Sequence, residues 1–550
     1  MDTFDYVIIG AGSAGSVLAN RLSEDPNVSV CVLEAGPADT NPMIHIPAGF
    51  MKTFYDASIN WCYEQEPGPF TAGRRIYAPR GKTLGGSSSI NGHIINRGQP
   101  EDFNHWAQLG NRGWGYADVL PYFKRFERRI TTDHPDQIYR GNDGPLPVTD
   151  PDWRHPLADR FIEGANELGI PTNPDYNAGK QEGINYAQRA ILKGRRVSAA
   201  RAFLKPAMKR ANLEVRTNAH VTRLLLDGKR ATGVAYLRGG RDGRPVEITA
   251  RHEVILSGGA YNSPQILMLS GIGPKAQLEA HGLPEAHVLE GVGEGLQDHY
   301  TSRTVARVKN IETINEQVRG TRLASEALKY LFTRKGILAL SPTLVYCFWH
   351  SGETAETSDL QLTFTPASYM DGVKGKLEAE PGMTVPSWQQ RPESRGYVRL
   401  KSADPFDAPL IQTNYLDAEL DRRVFIAGMR LARQLLKSRP LAPYYDYESY
   451  PGEEAQTDDE LLDAGTQRGQ TTFHPGCTCR MGPATDPRAV VDDELKVHGM
   501  EGLRVVDASV MPRMISANLN ASTLMIAERA ADLIRGHQAL EAAIVPQAAA

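Results

Sequence analysis

Apolar positions in the first forty residues change period twice. Tyr6-Val7-Ile8-Ile9 is a short uninterrupted apolar run, too short for a helix and closed by glycine, which predicts a buried strand. After the turn Gly10-Ala11-Gly12-Ser13-Ala14-Gly15, residues Ala14, Val17, Leu18 and Leu22 recur at helical spacing. A charged loop from Ser23 to Asn27 leads to a second apolar run, Val28 to Leu33, which ends on Glu34. The predicted order is strand, glycine turn, helix, strand, acid.

Further along, Trp106 to Phe126 predicts a polar-faced helix and Ser198 to Leu213 a basic one, while Leu213 to Leu226 alternates and Glu253 to Leu256 is another short strand. Ser263, followed by Pro264 in the first turn, is expected to open an apolar helix that Gly271 closes. Between about Tyr300 and Gln470 the chain changes character. Strands with polar alternation, such as Leu360 to Thr365 and Gly396 to Leu400, surround helices at Thr321 to Phe332 and Ala418 to Leu436, which predicts a separate region on an antiparallel sheet. Leu503 to Asp507 is again a strand ending on an acid, and Thr523 to Arg535 predicts a helix. The alanine-rich end from Ala539 is expected to be a frayed helix or a disordered tail.

Composition narrows the class only a little. The 550 residues are 41% hydrophobic and 23% charged, an ordinary globular balance, and the formal charge of -4 argues against a nucleic-acid partner. No apolar run reaches transmembrane length, although peripheral contact with a membrane surface would leave no such trace. The first strand begins too close to Met1 for a cleavable leader, so a cytoplasmic protein is expected. Cys31, Cys62, Cys347, Cys477 and Cys479 are few and odd in number, which suits a reducing compartment. Cys477 and Cys479 stand without a second pair, so no metal site is expected there.

The N-terminal pattern has a chemical reading. Gly10 permits the tight turn, Gly12 lets backbone approach a pyrophosphate, and Gly15 brings helix against strand. The helix N-terminus offers amide donors to phosphates, and Glu34 can accept from ribose hydroxyls. This is a dinucleotide-binding unit, and the acid leaves NAD or FAD as its ligand. The stretch Thr83 to His93 packs small residues without periodicity, as backbone does when it approaches a flat or phosphorylated ligand, a surface linker being the alternative.

Four blocks in order, the N-terminal turn, Gly85-Gly86-Ser87-Ser88-Ser89-Ile90-Asn91-Gly92, Gly259 to Gly273, and Gly293-Glu294-Gly295-Leu296-Gln297-Asp298-His299, resemble the glucose-methanol-choline family of flavoprotein oxidoreductases almost end to end. Asp39 to Pro47 and His474 to Gly482 look most like that family's bacterial alcohol and sorbose dehydrogenases. The resemblance implies FAD rather than NAD. It also implies an α/β fold: a doubly wound, Rossmann-like FAD domain from residues 1–155, 190–300 and 471–538, with an α+β substrate domain on an antiparallel sheet from 156–189 and 301–470, and a tail at 539–550.

Cofactor contacts are then expected from Gly10, Gly12, Ser13, Ala14, Gly15 and Glu34, from Gly85, Gly86, Ser87, Asn91, Gly92 and His93, and from Val221, Asp507 and Ala508. Ile90 stands where some choline-oxidising members attach FAD through histidine, so a non-covalent cofactor is expected. Oxidising an alcohol needs a base for the hydroxyl proton and a geometry that delivers hydride to flavin N5. His474, in a His-Pro motif, is the expected base, and Asn518 the expected donor to the developing alkoxide. Asn520 is expected to cap the helix that follows.

The expected substrate is a neutral primary alcohol. Related choline- and alcohol-oxidising members tend to carry glutamate where a gapless alignment puts Leu344, and glycines near Tyr346 and Cys347. A leucine offers no charge to a quaternary ammonium, whereas Tyr346, Phe348 and Trp349 suggest a wall for an aromatic or alkyl body. Choline or sugar dehydrogenation, and an FAD-containing hydroxynitrile lyase, are the alternatives, with oxygen, quinone or a soluble carrier as electron acceptor.

Overall fold

The computed structural model describes residues 2–132, 136–354, 357–370 and 376–546. Two seven-stranded sheets organise it. In the first, the apolar strand Asp2–Ile9 pairs in parallel with Val30–Leu33, which pairs in parallel with Leu213–Arg216. On its other side lies the 13-residue strand Arg244–Leu256. The end of that strand, Val254 to Leu256, also pairs with Leu503–Val505, while its start joins the antiparallel hairpin of Ala219–Asp227 and Arg230–Arg238. Helices Ser13–Leu22 and Asn520–Arg535 pack together over this sheet, burying Val17, Leu18 and Leu524 with Val7, Ile8 and Val32 in the larger core.

The second sheet runs, neighbour to neighbour, through Tyr445–Tyr450, Tyr300–Val308, Gly382–Gln389, Leu360–Phe364, Val345–Trp349 and Gly183–Tyr186, all antiparallel. Its period of two sorts side chains by face. Met383, Val385, Leu362, Phe364, Val345 and Cys347 turn to helices Pro156–Glu167 and Glu419–Leu436 and form the second core. Thr384, Pro386, Trp388, Thr363, Thr365, Thr301 and Arg303 line a cavity on the other face. Gln470–Thr471 pairs with Tyr300 and Thr301 at the strand end nearest the first sheet, and His474 follows at once.

Several expected elements differ in extent. Trp106 to Phe126 is two helices, Pro100–Gln108 and Tyr116–Phe126, because Gly110 and Gly113 between them take positive φ. Ser198 to Leu213 holds a π turn at Ala200–Leu204 and one short helical turn, Lys205–Ala207. The helix expected to open at Ser263 spans Gly259–Leu269, and Ser263 instead accepts from the Gly258 amide at 3.0 Å and donates to Asp507 at 2.5 Å. Gly396–Arg399 belongs to a separate three-stranded sheet with Glu294–Leu296 and Leu410–Gln412. Residues 538–546 have no regular structure, and 547–550 lie outside the described residues.

Candidate active site

A cavity of about 920 Å³ is lined at one end by the N-terminal turn and at the other by His474 and the second sheet. At the first end the glycines work by close approach. A Cβ at Gly10 would lie 2.4 Å from the Ser257 carbonyl oxygen, and one at Gly86 only 2.7 Å from the Gly12 Cα. Gly10 and Gly86 also hold φ of +98° and +52°, where a side chain is strained. Ser13 and Ala14, in the first turn of their helix, present the N-terminus to the cavity.

Glu34 lines the cavity, yet each carboxylate oxygen already accepts a backbone amide, Oε2 from Ala11 and Oε1 from Gly36, both at 2.9 Å. Burial pushes its carboxyl up to about 7. Asp507 is similarly engaged: Oδ2 accepts from the Gly259 amide at 2.8 Å and Oδ1 from Ser509 at 2.8 Å. Gly10, Gly12, Ser87, Asn91, Gly92, Val221 and Ala508 also line the cavity, whereas Gly15 and Gly85 stand behind it and act through packing. A Cβ at Gly15 would meet the Gly10 oxygen at 1.9 Å. His93 is buried at positive φ, and both its ring nitrogens lack a protein partner although the residue lines the cavity. A buried imidazole left in this state points to a ligand that completes it. Glycine cradle, helix N-terminus and orphaned imidazole together fit FAD.

At the other end, six polar groups form a branched chain. The Tyr346 hydroxyl donates to Oδ1 of Asn518 at 3.1 Å, and Nδ2 of Asn518 meets Nε2 of His474 at 2.9 Å. Nδ1 of His474 lies 2.8 Å from the Thr472 hydroxyl and 3.0 Å from Nδ1 of His299, whose Nε2 meets the Gln390 carbonyl at 2.7 Å. A carbonyl only accepts, so Nε2 of His299 is the donor and its Nδ1 carries the lone pair. The proton between the two histidines therefore sits on Nδ1 of His474, and its Nε2 is left as an acceptor on the cavity side. Burial, the neighbouring His299 and the Arg80 charge hold the His474 pKa well below the usual histidine value.

The backbone of His474 is fixed separately. Oδ1 of the buried Asp298 accepts the His474 amide at 2.8 Å, while Oδ2 accepts the hydroxyls of Thr471 at 2.5 Å and Tyr415 at 2.6 Å. Sequence reasoning noticed the Gln297-Asp298-His299 block but gave it no role. Trp388 went unnoticed, although the alternation of Thr384, Pro386 and Trp388 in one strand was a signal that these positions share a face.

The expected substrate wall needs correction. Tyr346 lines the cavity, but Leu344, Phe348 and Trp349 do not. Leu344 precedes the strand and is buried in the second core. Phe348 lies behind Tyr346, against Tyr176 with ring centroids 5.3 Å apart. Trp349, one residue out of phase, packs on the core side. An uncharged residue at 344 therefore says nothing against choline. Asn520 is also corrected: Leu519 holds the cap position, and Asn520 accepts the Ser13 hydroxyl at 2.7 Å, tying two helices of the first sheet together.

Two family models, both described as GMC oxidoreductase, match residues 4–301 and 392–527. The oxygen-dependent choline dehydrogenase of Staphylococcus saprophyticus is 43% identical over 98% of this chain and 96% of its own, and that of Staphylococcus xylosus 42% over 98% and 96%. Among solved structures, pyridoxine 4-oxidase from Mesorbium loti superposes with a TM-score of 0.87 at 32% identity, covering 97% of this chain and 100% of that one. Formate oxidase from Aspergillus oryzae gives 0.89 at 28%, covering 97% and 98%. With its glycine cradle, its paired sheets and the His474–Asn518 contact, the chain belongs to the GMC oxidoreductase family and is an FAD-dependent enzyme acting on CH–OH donors.

Proposed function

We propose that the enzyme oxidises a primary alcohol to the aldehyde, with His474 taking the hydroxyl proton at Nε2 and Asn518 donating from Nδ2 to the same oxygen. The observation that carries this reading is the 2.9 Å approach of those two nitrogens on the cavity wall. An entering hydroxyl takes the place of the Asn518 N–H at the Nε2 lone pair, donating to that lone pair and accepting from the displaced amide. As its proton moves to His474, negative charge grows on the oxygen, and the Asn518 N–H meets that charge without competing for the proton. When bound, FAD supplies the two-electron acceptor for the hydride leaving the alcohol carbon. Gly10, Gly12, Ser13, Gly86, Ser87 and His93 are the residues proposed to hold it.

Choline, an alternative in the sequence analysis, becomes the first substrate to test. The staphylococcal relatives are named for it, and Tyr346 and Trp388 offer aromatic faces that attract a quaternary ammonium. A neutral aromatic or alkyl alcohol is the second reading. It is favoured because Arg303, Lys376 and Arg468 line the cavity, while its only carboxylates among the described residues, Glu34 and Asp507, lie at the cofactor end. The names of the relatives and the oxidases among the structural neighbours support oxygen as the acceptor.

The deciding experiment is anaerobic bleaching of the flavin by choline, benzyl alcohol, a medium-chain alkanol and a sugar alcohol, followed by readmission of air. Fastest bleaching by choline assigns the first reading, and by benzyl alcohol or the alkanol the second. No bleaching by any alcohol would overturn alcohol oxidation and favour the lyase alternative.

A further inference from the structure

Helix Gly320–Thr333 is unlike the other long helices, for only Tyr330 of its 14 residues is buried. Leu323, Leu328, Leu331 and Phe332 are 38%, 57%, 58% and 80% exposed, and Ala324 and Ala327 are exposed between them. The spacing of these residues puts them on one stripe, the stripe that an amphipathic helix ordinarily turns to a core. Here the core-facing side is a narrow one. The Tyr330 hydroxyl donates to the Gly194 carbonyl at 2.9 Å, and Glu326 accepts the Ile337 amide at 3.1 Å. These contacts fix the helix with its apolar stripe outward.

The rim of the stripe is basic. The Gly194 contact brings the hairpin Ile191–Leu192 and Arg195–Arg196 against the C-terminal half of the helix, with Lys193 and Arg195 exposed at its tip. Arg334 packs over Tyr330 at 5.2 Å, and Lys329 and Lys335 are exposed beside it. Of these cations only Lys329 has a carboxylate partner among the described residues, Glu326 at 3.3 Å. A chain of formal charge -4 thus gathers unpaired positive charge around its exposed apolar helix.

We infer that this face rests on an anionic lipid surface, the helix lying in the plane of the headgroups with Leu328, Leu331 and Phe332 inserted and the cations of the rim facing lipid phosphates. Apolar stripe and basic rim each contribute to binding of this kind. No described helix is long and apolar enough to cross a membrane, so the contact is peripheral. A second copy of the chain fits the face poorly, since a two-fold contact would set one basic rim against another. The chain leaving the helix runs on to Pro342 and Thr343, which line the cavity.

The test uses FAD-loaded enzyme and flotation with vesicles of pure phosphatidylcholine or of phosphatidylcholine with phosphatidylglycerol. Binding is expected to the anionic vesicles at low salt, to fall as salt rises, and to be weak on the neutral ones. Lys335→Glu should lower the partition coefficient at least about five-fold. The double variant Leu331→Ser/Phe332→Ser should lower it about ten-fold or more while keeping flavin content and turnover of a small soluble alcohol, since neither residue touches the cavity. The inference is overturned if anionic vesicles fail to float the wild type, or if both variants float as it does. It is equally overturned if light scattering shows a dimer that the double variant abolishes.

Discussion

His299 accepts a hydrogen bond from His474 across 3.0 Å, the two rings standing at 88° to each other. Because His299 spends its own N–H on the Gln390 carbonyl, the contact sets which nitrogen of His474 can act as a base. His299 is in this sense a positioning residue.

Removing it should therefore slow alcohol-dependent flavin reduction without releasing the cofactor. His299→Ala is expected to lose about ten-fold, the scale of one buried hydrogen bond, and His299→Gln, whose amide oxygen can accept from Nδ1, to recover part of the loss. Stopped-flow reduction of the three enzymes measures this. Equal rates would mean that the tautomer is set elsewhere.

The two cavity-facing groups should fail differently. His474→Ala is expected to lower the reduction rate at least about a hundred-fold, as for a lost general base. Asn518→Ala should cost roughly ten-fold to a thousand-fold, as for one lost donor to a developing oxyanion. Flavin content should stay near wild type in both. A fully active His474 variant would remove the proposed mechanism.

Tyr346→Phe tests the next member of the chain. Its hydroxyl donates to Asn518 and so holds the amide with Nδ2 toward His474. A loss of roughly five-fold in reduction rate is expected, with little change in affinity for an alcohol that does not reach the phenol. A variant that changes affinity alone would make Tyr346 part of the pocket wall and nothing more.

Burial leaves both active-site histidines neutral, His474 well below the ordinary value and His299 at about 4. The reduction rate should stay level as pH falls through 6.5, the ordinary histidine value, and drop only at more acid pH. Stability has its own dependence. The unfolded chain protonates these residues first, so it binds more protons than the folded protein between the two values, and stability falls as pH is lowered from 6.5 towards 4. Urea midpoints across that window measure it, and a midpoint that rose on acidification would contradict the assignment.

His93 should report on the cofactor. Acid precipitation of the wild type is expected to leave yellow FAD in the supernatant, since Ile90 offers no attachment point. His93→Met should shift the flavin absorption bands and weaken FAD retention roughly five-fold, the loss of one hydrogen bond. Colour retained by the precipitate would point to covalent attachment, and an unchanged spectrum and affinity would separate His93 from the flavin.

What could be read from the chain depended on how local the signal was. Asp2–Ile9 to Glu34 was legible because strand, turn and helix meet within a few residues and each has its own period. His474 and Asn518 were legible through motifs, although 44 positions separate them and nothing in the spacing shows that they touch. The substrate wall was misread for a physical reason. A strand buried on both faces has no polar alternation, so Val345–Trp349 gave no sign of which side met the cavity. The bond from His299 to His474 was hidden similarly, since it joins residues 175 positions apart.

The second sheet reaches the proposed reacting groups through Tyr346, while Asp298 bolts the proposed base in place. Chemistry and selectivity can on this account diverge at different rates. Exchanges at Thr363, Thr384 or Trp388 can reshape what the cavity admits while the proton acceptor keeps its orientation. A lineage built this way can explore new alcohols by single steps, each leaving a working enzyme behind it.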